Sequence, residues 1–163
     1  MLGKFWIVIF SSFVFVSPAF AEKIDLALLS QLKPLLEAPT VKVENNKIIF
    51  LDLWASWCEP CKESLPHYAK LKKTYSPQGV LFVVVGLDGK ESDSLNFARQ
   101  LNLNLNFYWD TEKKLQKQLQ IQAVPMLYLL NSRGEILYSS RGYDSKELVQ
   151  LESELKKHIK ANL

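Results

Sequence analysis

Only two cysteines and two histidines occur among the 163 residues, and that scarcity excludes several chemistries. A structural zinc site takes four ligands, and nothing in the spacing brings both His67 and His158 to Cys58 and Cys61. A c-type haem attachment needs His directly after the second Cys of a CxxC pair, and position 62 is Lys. No metal or cofactor is therefore expected. Charge is sparse too: 23% of residues are charged, the net charge is +3, and no dense basic block occurs, so nucleic acid is not expected as a partner. Low-complexity segments and internal repeats are lacking. With 48% hydrophobic residues, the chain has enough apolar material for one domain with a real core.

What the chain does hold is concentrated between residues 48 and 63. The apolar run Ile48 to Trp54 reads as a buried strand, followed at once by Trp57-Cys58-Glu59-Pro60-Cys61 and then by apolar residues at helical spacing. A thiol pair at a strand–helix junction is suited to redox chemistry. The helix N-terminus offers unpaired N–H groups and partial positive charge to a thiolate at Cys58. Pro60 suits the first helical turn, where its missing N–H had no partner. A disulfide across so short a loop would stabilise little, which favours a working pair over a structural one.

The segment Asp-Leu-Trp-Ala-Ser-Trp-Cys-Glu-Pro-Cys-Lys, residues 52–62, resembles the active-site segment of thioredoxins. Its Glu-Pro pair is similar to the TlpA/ResA-like branch of exported thiol–disulfide oxidoreductases, and the resemblance spans about residues 47 to 157. It implies an α/β thioredoxin-like fold with a mixed central sheet flanked by helices. Alternating strand and helix patterns lead independently to the same class.

Residues 1–21 read as a secretory signal: Lys4 as the positive end, Phe5 to Val16 as the apolar stretch, and Ala19-Phe20-Ala21 as a small-x-small cleavage site. Cleavage would leave residues 22–163 with a net charge of +2. The apolar stretch is shorter than the roughly 18 to 20 residues of a membrane span, so cleavage and a periplasmic location are expected. The alternative is an uncleaved signal anchoring the chain to the inner membrane.

Along the rest of the chain, residues 24–37 carry Leu and Ile at helical spacing interrupted by Pro34, which predicts a kinked helix or two short pieces. Thr40 to Val43 is a candidate short strand, and residues 44–47 a turn. The active-site helix should run to about Tyr75 and stop at Ser76-Pro77-Gln78-Gly79. Val80 to Leu87 reads as a strand buried on both faces, and Ser92 to Gln100 as a helix with Leu95 and Phe97 inward. Phe107 to Trp109 should be a strand and Lys113 to Gln118 a helix. Met126 to Leu130 and Ile136 to Ser140 should form a hairpin through Asn131-Ser132-Arg133-Gly134. Asp144, with Glu147 three residues on, should open a last helix ending near Lys160.

Cys58 is the expected nucleophile, exposed at the helix end, and Cys61 the resolving thiol, more buried. Asp52 is a carboxylate in an apolar strand, expensive to bury and so a candidate acceptor for the proton of Cys61. The alternative is that strand alternation turns it to solvent. The matching thioredoxin position is also Asp. Glu59 should oppose a thiolate at Cys58 by like-charge repulsion and so favour a reductant. The resemblance implies that Val124-Pro125 is the cis-proline loop opposite the thiols, whose backbone would pair with an extended client. Met126 stands where the family commonly has Thr. The resemblance places an acidic residue three positions after the second Cys, but that position is Ser64 and Glu63 comes one early, so the role is not carried over.

Trp54 and Trp57 read mostly as packing residues, with Trp57 shielding the thiols. His67 reads as a surface residue, His158 as solvated, and Gly142 as either a close-approach position or a simple turn.

The function these residues imply is a periplasmic thiol–disulfide oxidoreductase that reduces exported proteins, for example in cytochrome c maturation. Its expected partners are exported thiol or disulfide proteins and a membrane electron donor of the thiol-transfer type. The alternatives are a disulfide-forming oxidase or isomerase, and a Cu(I)-binding module using the two soft thiolates.

Overall fold

The structure, a computed structural model, describes residues 23–44 and 46–161. The stretch read as a secretory signal and Asn45 of the anticipated turn lie outside the described residues. Six strands form one sheet in the order β1-β4-β3-β2-β5-β6: β1 Lys33–Pro34, β2 Ile48–Trp54, β3 Val80–Gly86, β4 Phe107–Trp109, β5 Met126–Asn131 and β6 Ile136–Arg141. The sheet is mixed. β2 runs parallel to β3, β3 parallel to β4, and the remaining pairs are antiparallel. The helices are α1 Ala27–Ser30, α2 Glu59–Tyr75, α3 Glu91–Leu101, α4 Lys114–Gln118 and α5 Ser145–Ala161.

β2 lies at the centre because every one of its seven residues is buried. Ile48, Phe50 and Trp54 face a core shared with Leu65 and Tyr68 of α2, Phe97 of α3, and Leu151 and Leu155 of α5. Ile49, Leu51 and Leu53 face a second core with Ile24, Leu29, Val83, Leu115 and Tyr128. Each fully buried large side chain contributes roughly 1.5–3 kcal/mol, and a slip of one residue would exchange the two faces. The register Leu51↔Val83 and Asp52↔Val84 is held by that difference.

α2 contains Pro66, which removes one intrahelical donor. Its buried stripe Leu65, Tyr68, Leu71 and Tyr75 carries the helix through that point. It ends in a 3₁₀ turn at Ser76–Gln78, with Gly79 at φ +88°. The hairpin between β5 and β6 turns at Gly134, φ +83°. At the start of α5 the Asp144 carboxylate accepts from the Lys146 and Glu147 N–H groups. Glu147 does not complete a reciprocal box there; its carboxylate accepts from the Tyr138 hydroxyl.

Two expectations fail at the N-terminal side. Residues 24–37 form only the single turn α1 and then β1, whose Lys33 and Pro34 pair with Trp109 and Tyr108. Pro34 lacks a donor, which is costly inside a helix and tolerable on an edge strand. The Leu spacing reflects a chain winding round the sheet edge: Leu29 and Leu32 enter one core and Leu35 the other. Residues 40–43 form no strand. That segment is held by the Tyr108 hydroxyl, which donates to the Pro39 carbonyl at 2.9 Å, and by burial of Val41.

Candidate active site

β2 delivers the chain to a tight turn, in which the Cys58 N–H donates to the Ala55 carbonyl at 3.0 Å. Cys58 then caps α2, with φ −86° and ψ 105°, and its Sγ accepts from the Cys61 N–H at 3.3 Å. Cys58 and Cys61 are joined as a disulfide with Cα atoms 5.3 Å apart. Cys61 is fully buried, as expected. Cys58 is only 3% exposed, against the expected open position. The cap geometry folds its sulfur back over the first helical turn.

Trp57 takes the outward position on the turn and is 72% exposed, so it is not the packing residue anticipated. Trp54 is: it is fully buried against Phe97 and Phe107.

Glu59 and Pro60 open α2. The Glu59 carboxylate pairs with the Lys62 ammonium at 2.6 Å, one turn along and at the surface. The negative charge beside Cys58 thus comes with a positive partner, which reduces the repulsion expected from Glu59 alone.

Asp52 is wholly buried, and alternation along β2 puts it on the face of Phe50 and Trp54, the side of Cys61 and α2. The alternative of a solvent-facing Asp52 is excluded. Neither carboxylate oxygen has a hydrogen-bond partner among the described residues. Burial disfavours the charged form and pushes the carboxyl up to about 8. Tyr68 is buried on the same side of the sheet; burial and the nearby Asp52 push its phenol well above the usual range. Ser64 is buried beside them and donates to the Cys61 carbonyl at 3.2 Å.

The Val124–Pro125 bond is cis. The register Leu53↔Met126 carries Pro125 to the end of β2 from which Cys58 follows, and Val124 packs against the core that includes both cysteines. The Pro125 carbonyl accepts from the Gly142 N–H at 2.9 Å. Gly142 has φ +86° and open space where a Cβ would stand, so it serves a turn and not a close approach. His67 is half-buried, its ring 5.9 Å from that of Tyr143. His158 is not solvated as anticipated: its side chain is 16% exposed and lies 3.2 Å from the Glu154 carboxylate.

One group was missed. Asp88, just after β3, is 4% exposed and bonded to Ser56 in the active-site turn and to Ser94 of α3. A carboxylate directly behind the apolar run of β3 was the available signal, of the same kind that singled out Asp52. Among the described residues no group of three or more His, Cys, Asp or Glu is placed to hold a metal ion, and no helix is long and apolar enough to cross a membrane.

The sequence model of the Thioredoxin-like family matches residues 45–136, more than half of the chain. The chain belongs to the thioredoxin-like family. Within it, the thiol-disulfide oxidoreductase ResA of Bacillus thuringiensis subsp. konkukian is 29% identical over 126 residues, which is 75% of this chain and 70% of that one. ResA of Bacillus subtilis is 27% identical over 105 residues, 64% of this chain and 59% of its own length. The solved structure of StoA from Bacillus subtilis superposes with a TM-score of 0.65 at 26% identity, covering 76% of this chain and 93% of that one. The similarity to ResA therefore reaches beyond residues 52–62, over 64–75% of the chain.

Proposed function

We propose that the protein is a thiol–disulfide oxidoreductase of exported space, working mainly as a reductant of exported proteins such as those of cytochrome c maturation. The observation that carries the reading is the Cys58–Cys61 pair at the N-terminus of α2, with a partnerless buried Asp52 on the same side of the sheet.

In the reduced protein the Cys58 thiolate attacks one sulfur of a client disulfide, and the other leaves as a thiolate. Cys61 then attacks Cys58 Sγ, releasing the client's second thiolate and forming the Cys58–Cys61 disulfide. Two electrons pass to the client. Cys61 must lose its proton first. An ordinary carboxylate is far too weak a base for a thiol near 8.5, whereas the ionised form of Asp52, whose carboxyl is raised to about 8, takes that proton in a nearly balanced transfer. The cis Val124–Pro125 loop supplies backbone against which an extended client can lie. Re-reduction falls to a membrane donor of the thiol-transfer type.

Cys58 Sγ has one amide donor, and the Glu59 charge beside it is offset only in part by the solvent-exposed Lys62 ammonium. That is modest support for a thiolate, and a modestly stabilised reduced form favours reductase over oxidase. The test is reduction of a disulfide-bonded peptide by the dithiothreitol-reduced protein. Turnover that disappears in Cys58→Ser supports the reading, and turnover that persists in that variant overturns it.

A further inference from the structure

We propose that Asp88 is a positioning residue for thiol exchange: from the end of β3 it clamps the turn that carries Cys58, keeping the Cys58 sulfur at the N-terminus of α2. The proposal rests on the oxidoreductase reading above. The Asp88 carboxylate accepts four bonds. Its Oδ1 takes the Ser56 N–H at 3.1 Å and the Ser56 hydroxyl at 2.8 Å. Its Oδ2 takes the same N–H at 3.2 Å and the Ser94 hydroxyl at 2.6 Å. The carboxylate accepts at both oxygens from the Ser56 N–H and the two hydroxyls, and its charge strengthens each bond.

The residue itself is held on two further sides. Its carbonyl accepts from the Trp109 indole N–H at 3.0 Å, and the preceding Leu87 N–H donates to the Trp54 carbonyl at 2.8 Å. Gly86 makes room for this arrangement, because a Cβ there would collide with the Ser94 hydroxyl. Ser56 lies two residues before Cys58, within the turn closed by the Cys58 N–H and the Ala55 carbonyl. Fixing Ser56 fixes the direction in which Cys58 enters α2, and with it the contact between Cys58 Sγ and the Cys61 N–H. A thiolate formed there keeps its amide donor only while the turn keeps its place.

Asp88→Asn preserves size but removes the charge and turns one of the two acceptor oxygens into an amide donor, so the Ser56 N–H keeps a single acceptor and the Ser94 hydroxyl must reverse its bond, which loosens the clamp without opening a cavity. The experiment follows the pH dependence of Cys58 alkylation by iodoacetamide in the reduced full-length protein, with mass spectrometry separating Cys58 from Cys61. Asp88→Asn is expected to raise the Cys58 midpoint by about one pH unit, slowing alkylation at pH 7 about tenfold. Ser56→Ala, which loses one of the bonds, is expected to slow it about two- to threefold. Asp110→Asn alters another buried loop carboxylate, one that accepts from the Gln116 N–H, and should leave the profile within about twofold of wild type.

A folded Asp88→Asn protein with the wild-type profile overturns the proposal. So does a midpoint that falls, since that would report only the removal of a like charge. Should Asp88→Asn fail to fold, Ser56→Ala decides: slowed alkylation supports the clamp and an unchanged profile overturns it. A wild-type protein that shows the Asp88-dependent profile but reduces no disulfide would defeat the oxidoreductase reading and leave the clamp standing.

Discussion

Replacing Asp52 by Asn should make the protein more stable, increasingly so as the pH rises. The native carboxyl is raised from 3.8 to about 8, so between those values the folded state holds a proton that the unfolded chain has released. Stability then falls with rising pH across that window and levels off on either side of it. Each pH unit within the window corresponds to about 1.4 kcal/mol. Between about pH 5 and pH 8 the ceiling is therefore about 4 kcal/mol, and relaxation around a buried charge lowers the expected difference to about 2–4 kcal/mol. Urea unfolding of the oxidised wild type and Asp52→Asn at several pH values in that range reads this directly, because other titrating groups cancel in the difference. The wild-type midpoint should drop away from that of the variant as the pH rises. Parallel curves would mean that Asp52 is not held protonated by burial, and the proton-acceptor role would go with it.

Other substitutions test the remaining parts. Cys61→Ser should trap a mixed disulfide between Cys58 and a client peptide, visible as a covalent adduct on a non-reducing gel; Cys58→Ser should form none. Lys62→Gln removes the partner of Glu59 and should lower the reduction potential of the pair, by less than about 30 mV since the ion pair is at the surface. An increase would reverse the assigned sign. Gly134→Ala places a Cβ at φ +83° against the Ile24 carbonyl and should cost at least about 1–3 kcal/mol in chemical denaturation, with the redox pair unaffected.

The parts legible in the sequence are those governed by local pattern. β2 runs from Ile48 to Trp54 as its apolar stretch indicates, α2 ends at the Ser-Pro-Gln-Gly stop, and Asp144 caps α5. The cis Val124–Pro125 bond follows the family resemblance. Residues 24–37 misled because leucines wrapping a sheet edge can mimic helical spacing, so that only tertiary pairing of Lys33 and Pro34 with β4 distinguishes the two. The direction of Asp52 was open for a similar reason: in a strand buried on both faces, alternation tells which residues share a side but not what that side meets. The Glu59–Lys62 pair was within reach, since residues three apart on a helix are neighbours. The Asp88–Ser56 clamp joins residues 32 apart in the chain, and no local pattern encodes that contact.

The reduction potential of the Cys58–Cys61 pair, measured by equilibration in dithiothreitol or glutathione buffers, tests the reductase assignment most directly. A value near about −270 mV, that of thioredoxin, is expected. A value near about −120 mV, that of the strong oxidant DsbA, would contradict it and identify a disulfide-forming enzyme.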